Sequence, residues 1–115
     1  MYKRQLSTSL TDNQTSPEDI GLFFKKLWGN QIVSQASRDE ILGYMTDTIY
    51  ENWLVKGIPE EKVAHKYGSE LHVMNDAGII LSDKPFVLVI MSKGIVEKEA
   101  NLVIPELASI VYEEQ

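Results

Sequence analysis

The residues best suited to chemistry lie in one short segment, residues 63–68, which reads V-A-H-K-Y-G. A lysine in the middle of a short strand is uncommon unless one face of that strand meets water or a ligand. Because Gly68 has no side chain, the backbone beside it can approach another group closely. Strand alternation places Lys66 on the opposite face from His65 and Tyr67, so one ligand can reach both Lys66 and Tyr67 only along the strand edge. Unaided, the segment fits an exposed edge strand as well as it fits a site.

Other catalytic arrangements find little support. A Ser-His-Asp triad could be assembled from many serines, His65 or His72 and several acids, but no Gly-x-Ser-x-Gly motif fixes its geometry. His65, His72 and Asp76 form the only cluster of metal-ligating type, and two histidines seven apart on different strands fit ordinary surface residues better. A phosphate loop is excluded because no candidate glycine pair ends in Lys-Ser or Lys-Thr. We therefore expect no metal and no cofactor.

The composition narrows the classes of protein to which this chain can belong. A chain of 115 residues with 43% hydrophobic and 24% charged residues suits one globular domain. The charge sum of 11 − 17 = −6 argues against a nucleic-acid or anionic-membrane surface, because both need clustered lysine and arginine. No apolar run is long enough to span a bilayer, and the absence of cysteine excludes disulfides and thiolate chemistry.

The first half of the chain predicts helices. Ser16 and Pro17 provide a cap and a first helical residue, and an apolar face follows over residues 20–28. Ser37-x-x-Glu40 is a capping-box pattern that predicts the start of a second helix. Residues 57–59, which read Gly-Ile-Pro, should stop any helix.

The second half predicts three strands and a closing helix. The strands are expected over residues 62–68, 71–81 and 86–92, joined by short links as an antiparallel meander. Gly78 is expected to mark a bulge or a close approach. The closing helix is expected over residues 96–113, with a kink or a break at Pro105 because proline has no N–H to donate back to Asn101. This order predicts an α+β domain.

Residues 1–14 are interpreted as a foreign or disordered leader and loop, and the domain as residues 15–115. The segment Met1–Gln5 is basic in an otherwise acidic chain, and it is too short and too polar for a secretory signal. Our hypothesis is that it is not native and that the natural gene continues upstream of Leu6. The alternative is an ordinary disordered N-terminus.

Several motifs in fixed order resemble the C-terminal part of the class A β-lactamase family and its serine-hydrolase relatives. Lys66-Tyr67-Gly68 occupies the place of the family's Lys-Thr/Ser-Gly triplet. The further matching segments, in order, are 15–17, 21–27, 57–59, 74–80, 85–94 and 99–113. The triplet alone is a weak signal, whereas the ordered set is specific and covers nearly everything after Asn13.

The resemblance implies roles for four residues. Lys66 resembles the family lysine that brings positive charge to the cleft and supports proton transfer at the serine. Ser69 resembles the residue whose backbone N–H forms half of the oxyanion hole, and Tyr67 and Gly68 line the substrate. The family nucleophile sits in Ser-x-x-Lys, and no serine of these 115 residues has a lysine three positions later. The resemblance thus implies a domain whose N-terminal half is missing here, and a chain that is inactive alone.

Two departures keep the substrate open. Tyr67 replaces a small hydroxyl residue, and Met74 replaces the arginine often found before Asn75-Asp76; both family residues serve the substrate carboxylate. We expect His65 to lie at the surface or behind the site. Three readings remain: a parent β-lactamase acting on β-lactams, a penicillin-binding-type relative acting on cell-wall peptides, and a non-catalytic cell-wall or partner-binding module. The resemblance implies an extracellular, periplasmic or cell-envelope location.

Overall fold

The computed structural model describes residues 14–49 and 51–115, which form helices on both faces of a three-stranded antiparallel sheet. Apart from Gln14, the predicted leader lies outside the described residues. The elements in chain order are α1 (Pro17–Trp28), α2 (Gln35–Tyr44), α3 (Leu54–Gly57), β1 (Lys62–Glu70), β2 (Val73–Leu81), β3 (Phe86–Lys93) and α4 (Glu97–Glu113). The α+β class and the predicted order of two helices, three strands and a closing helix are confirmed, and the short helix α3 is an element that the sequence analysis did not predict.

The helix starts show how local chemistry selects element boundaries. The Ser16 hydroxyl accepts a hydrogen bond from the Asp19 N–H at 3.1 Å, which confirms the predicted cap of α1. The predicted start of α2 at Ser37 is wrong. Ser34 caps that helix instead, and its hydroxyl accepts from the Ser37 N–H at 3.2 Å.

The sheet has the order β1-β2-β3 and an unbroken register. On β1 and β2 it runs from Lys62 opposite Leu81 to Glu70 opposite Val73. The second strand begins at Val73 rather than at the predicted Leu71, because His72 adopts a positive φ of 59° in the turn. Among the described residues, β1 and β3 are therefore the two edges of the sheet.

One face of the sheet packs against α1 and α2, the other against α3 and α4. The first layer buries side chains of α1 and α2 against alternate residues of the strands, among them Phe24, Leu27, Leu42, Ala64, Ala77 and Ile79. The second layer does the same on the opposite face, with Leu54, Ile58, Val63, Ile80, Leu88 and Ala108. The period of two along each strand separates the two layers.

Helix α4 runs unbroken from Glu97 to Glu113, so the predicted break at Pro105 is absent. Pro105 is buried, and it lies where α3 comes closest to α4. A side-chain carbon at Gly57 would fall 2.3 Å from the Pro105 carbonyl oxygen. Tertiary packing therefore holds α4 together across a residue that weakens a helix locally.

Candidate active-site edge

The strand that carries Lys66 turns part of its backbone away from the sheet. The His65 N–H donates to the Met45 carbonyl oxygen at 3.0 Å, so at His65 the backbone polar groups of β1 point away from β2. These groups alternate in direction along an antiparallel strand. Tyr67 and Ser69 therefore also direct N–H and C=O outward, to what we term the outer edge of β1.

Lys66 lies on the α1 face and is exposed. Its ammonium donates to the Tyr67 carbonyl oxygen at 2.5 Å and lies 4.8 Å from the centroid of the Tyr67 ring. The carbonyl dipole and the negative ring face both favour a cation there. The positive charge of Lys66 is thus held at the outer edge.

Tyr67 points to the opposite face, as strand alternation predicts. Its ring meets Trp53 edge-to-face, with centroids 6.1 Å apart and planes at 82°. Trp53 is fully buried and donates from Nε1 to Asn101 Oδ1 at 2.8 Å. Tyr67 is therefore packed into the α4 layer and does not share the Lys66 face.

Gly68 is not required by the backbone. Its φ is not positive, and a side-chain carbon there would meet nothing within 4 Å. A cavity of about 420 Å³ opens beside it on the α1 face, with Lys66 at its edge. Its walls are mainly apolar and include Ile20, Phe23 and Met91.

Of the two places expected for His65, the surface is wrong, and the position behind the strand that carries Lys66 is the one observed. His65 and Asp76 are both buried, and Nδ1 of the ring lies 2.7 Å from Asp76 Oδ1. Nε2 lies 3.1 Å from Thr48 Oγ1. The second carboxylate oxygen, Oδ2, accepts from the Leu54 N–H at 3.0 Å. Because a carboxylate only accepts, the Nδ1 atom of His65 carries the proton of this contact.

Gly78 makes this pairing possible. It lies opposite His65 in the register, and a side-chain carbon there would fall 2.8 Å from the His65 Cβ. The predicted close approach at Gly78 is confirmed, and the uninterrupted register shows no bulge there. A side chain at Gly78 would occupy the space in which β1 and β2 approach each other beside the His65–Asp76 pair.

The candidate metal cluster does not assemble. His65 and Asp76 meet, but His72 lies in the turn between β1 and β2 and is exposed. Within residues 14–49 and 51–115, no three histidine, aspartate or glutamate side chains are grouped to hold a metal ion. The pair is instead fully engaged with Thr48 and Leu54.

Sequence reasoning missed two contributors to this region, Trp53 and Thr48, and considered Asp76 only as a possible metal ligand. Trp53 supports Tyr67, Thr48 meets His65, and Asp76 joins two strands to α3. For Asp76 a signal was present, because a carboxylate inside an apolar strand needs donors if it is buried. Met74, the residue in place of a family arginine, is buried with Trp53, Ala100 and Ile104.

The comparisons with known proteins agree with this architecture. The sequence profile of the Beta-lactamase enzyme family matches residues 3–115. This chain belongs to that family. No curated protein matches it. The meander and the closing helix are therefore those of a β-lactamase-like domain, as the motifs predicted.

Solved structures show the same fold. The structure of PBP-A has a TM-score of 0.79 and 27% identity, and the match covers 87% of this chain and 39% of that one. A PBP-A mutant, solved as an acyl-enzyme complex with penicillin G, gives the same values. A β-lactamase from Sphaerobacter thermophilus DSM 20745 has a TM-score of 0.81 and 20% identity, covering 91% and 42% of the two chains. This chain thus spans about two fifths of the length of these structures.

Proposed function

We propose that this chain is the C-terminal part of a serine hydrolase domain that is acylated by β-lactams or related acyl compounds. One observation carries the proposal: the Lys66 ammonium and the Ser69 N–H both lie at the outer edge of β1. Membership of the β-lactamase family and the penicillin acyl-enzyme of PBP-A support this chemistry.

Lys66 would supply positive charge where the substrate and the attacking serine meet. An ammonium attracts a substrate carboxylate and favours loss of a proton from a neighbouring hydroxyl. The Ser69 N–H would donate to the oxygen that becomes negative as the acyl carbon turns tetrahedral. One such donor contributes about 3 kcal/mol to lowering the barrier.

The nucleophile would come from elsewhere in the protein. These 115 residues contain no Ser-x-x-Lys, and the chain spans about two fifths of the length of its structural relatives. The cavity beside Lys66 would admit the serine-bearing segment from the α1 face. Alone, the chain would then supply half of an oxyanion hole and one lysine, and we expect it to be inactive.

A cell-wall peptide is the second candidate substrate, because both residues that replace the family's carboxylate contacts pack against the α4 layer. Tyr67 packs against Trp53, and Met74 is buried among α4 residues. Two missing charge-assisted or hydroxyl contacts weaken binding of a carboxylate by orders of magnitude. Either substrate places the protein outside the cytoplasmic membrane, by resemblance to the family. No helix within residues 14–49 and 51–115 is long and apolar enough to cross a bilayer.

The test uses the full-length product of the gene and a fluorescent penicillin. Covalent labelling that survives denaturation reports acylation, and colour release from a chromogenic cephalosporin reports turnover. Lys66→Ala should lower the acylation rate by about tenfold to a hundredfold. Lys62→Ala is the matched control, because it removes the same charge from the same strand and the same face.

The outcomes separate the readings. Labelling with turnover supports a β-lactamase, and labelling without turnover supports a penicillin-binding-type hydrolase. A protein that is never labelled, and that lacks Ser-x-x-Lys throughout, is the non-catalytic module. If Lys66→Ala and Lys62→Ala label at equal rates, Lys66 does not belong to the site.

A further inference from the structure

We propose that His65 is a positioning residue that fixes the outer edge of β1 for the ligand. The inference rests on the proposed function, because it names what holds Lys66, Tyr67 and Ser69 in place. His65 directly precedes Lys66, and its ring is buried behind the strand rather than turned to the ligand. It therefore acts through its neighbours and not by touching a substrate.

Three separate contacts hold His65. The backbone N–H donates to the Met45 carbonyl oxygen at 3.0 Å, Nδ1 meets Asp76 at 2.7 Å, and Nε2 meets Thr48 at 3.1 Å. The backbone N–H and both ring nitrogens are thus bound, to the segment that follows α2 and to β2. A strand residue held in this way has little freedom to shift along or out of the sheet.

Asp76 connects the hydrogen bonds of His65 to α3. Its Oδ2 atom accepts from the Leu54 N–H at 3.0 Å, and Leu54 is fully buried next to Trp53, which packs against Tyr67. Two buried side chains, His65 and Asp76, therefore join β1, β2, α3 and the segment that follows α2. A displacement of any one of these elements would therefore also move the outer edge of β1.

The Met45–His65 bond also sets where a ligand can pair with the strand. An outward N–H that already donates to the protein cannot donate to a ligand. Beyond His65, the next outward residues are Tyr67 and Ser69, about 7 Å apart along the strand. An extended ligand along this edge therefore cannot take a hydrogen bond from the His65 N–H.

Hydrogen exchange followed by mass spectrometry tests the positioning role without requiring activity. The full-length product is compared with His65→Ala, His65→Asn and Tyr112→Phe. We expect His65→Ala to speed exchange in a peptide covering residues 64–70 by about tenfold or more, and to leave a β3 peptide unchanged. His65→Asn should restore most of the protection, because its side-chain N–H can donate to Asp76. Tyr112→Phe controls for loss of a hydrogen bond far from this edge.

Acylation by the fluorescent penicillin gives the second readout. His65→Ala should lower the acylation rate by about tenfold, with partial recovery in His65→Asn. If exchange rises equally in β1 and β3, or if β1 keeps its protection, His65 has no positioning role. If the unaltered protein is never labelled but the exchange pattern appears, the proposed function fails and the positioning role stands. Labelling of His65→Ala at the unaltered rate overturns the positioning role alone.

Discussion

Gly78 of β2 lies so close to β1 that a side-chain carbon there would fall 2.1 Å from the carbonyl oxygen of Ala64. Neither backbone can yield without breaking the register that places Lys66 opposite Ala77. Gly78→Ala should lower the free energy of unfolding by about 3 kcal/mol or more, measured by urea denaturation.

Gly68→Ala is the matched control for that substitution. Gly68 lies on the neighbouring strand, and a methyl group there would meet nothing within 4 Å. We expect the free energy of unfolding to be unchanged or to rise by up to about 1 kcal/mol, because alanine has less conformational freedom than glycine in the unfolded chain. Equal losses at Gly78 and Gly68 would contradict the close approach.

The buried His65–Asp76 pair predicts strong non-additivity. His65→Leu or Asp76→Leu alone should cost about 3–5 kcal/mol of unfolding free energy, because each leaves a buried polar partner unsatisfied. The double variant should cost clearly less than the sum of the two. A double-mutant cycle by denaturant unfolding measures this, and simple additivity would show that the two side chains do not interact.

The two serines at the start of α2 differ in what they contribute. The Ser34 hydroxyl caps the helix, so Ser34→Ala should cost about 1 kcal/mol. Ser37 only donates its backbone N–H, which alanine keeps, so Ser37→Ala should stay within about 0.5 kcal/mol of the unaltered protein. Paired thermal or urea melts decide between them, and a larger loss for Ser37→Ala would restore the cap predicted from the sequence.

Tyr112 should titrate late. Its hydroxyl donates to Glu61 Oε2 at 2.6 Å, and this hydrogen bond, with burial and the nearby carboxylates of Glu61, Glu60 and Asp83, raises its pKa from 10.0 to about 12. Because the pKa is raised in the folded protein, the contribution of protonated Tyr112 to folding stability is present below pH 10 and is lost as the pH rises through about 12. The difference in absorbance at high pH between the unaltered protein and Tyr112→Phe isolates this ring. Glu61→Gln should return the pKa toward 10.0, and a Tyr112 pKa already near that value would contradict the contact.

The arrangement of side chains at the outer edge of β1 was predictable, because it depends on the alternation of neighbouring residues along a strand. A period of two along β1 places Lys66 and Tyr67 on opposite faces, whatever the rest of the fold does. The cap at Ser16 was also predictable, since its hydroxyl and the Asp19 N–H are three residues apart. The choice of Ser34 over Ser37 was harder, because both are residues that cap helices and only Ser37 has a glutamate three positions later.

The surroundings of His65 were not predictable in the same way. The sequence around a histidine in a strand does not indicate whether its side chain is buried. The partners of His65, Thr48 and Asp76, lie 17 and 11 residues away in the sequence. Nor does proline chemistry alone decide the fate of α4. Packing of Ala100, Ile104 and Ala108 against the other elements holds that helix across Pro105.

The sequence by itself determined the order of the elements, the family and the face on which each strand residue lies, because these follow from periodicity, caps and an ordered set of motifs. Only the tertiary structure decided that His65 and Asp76 meet, that Trp53 supports Tyr67, and that Met45 accepts the outward N–H of His65. Those relationships join residues far apart in the chain, and burial and hydrogen-bond geometry exist only once the strands and helices have packed.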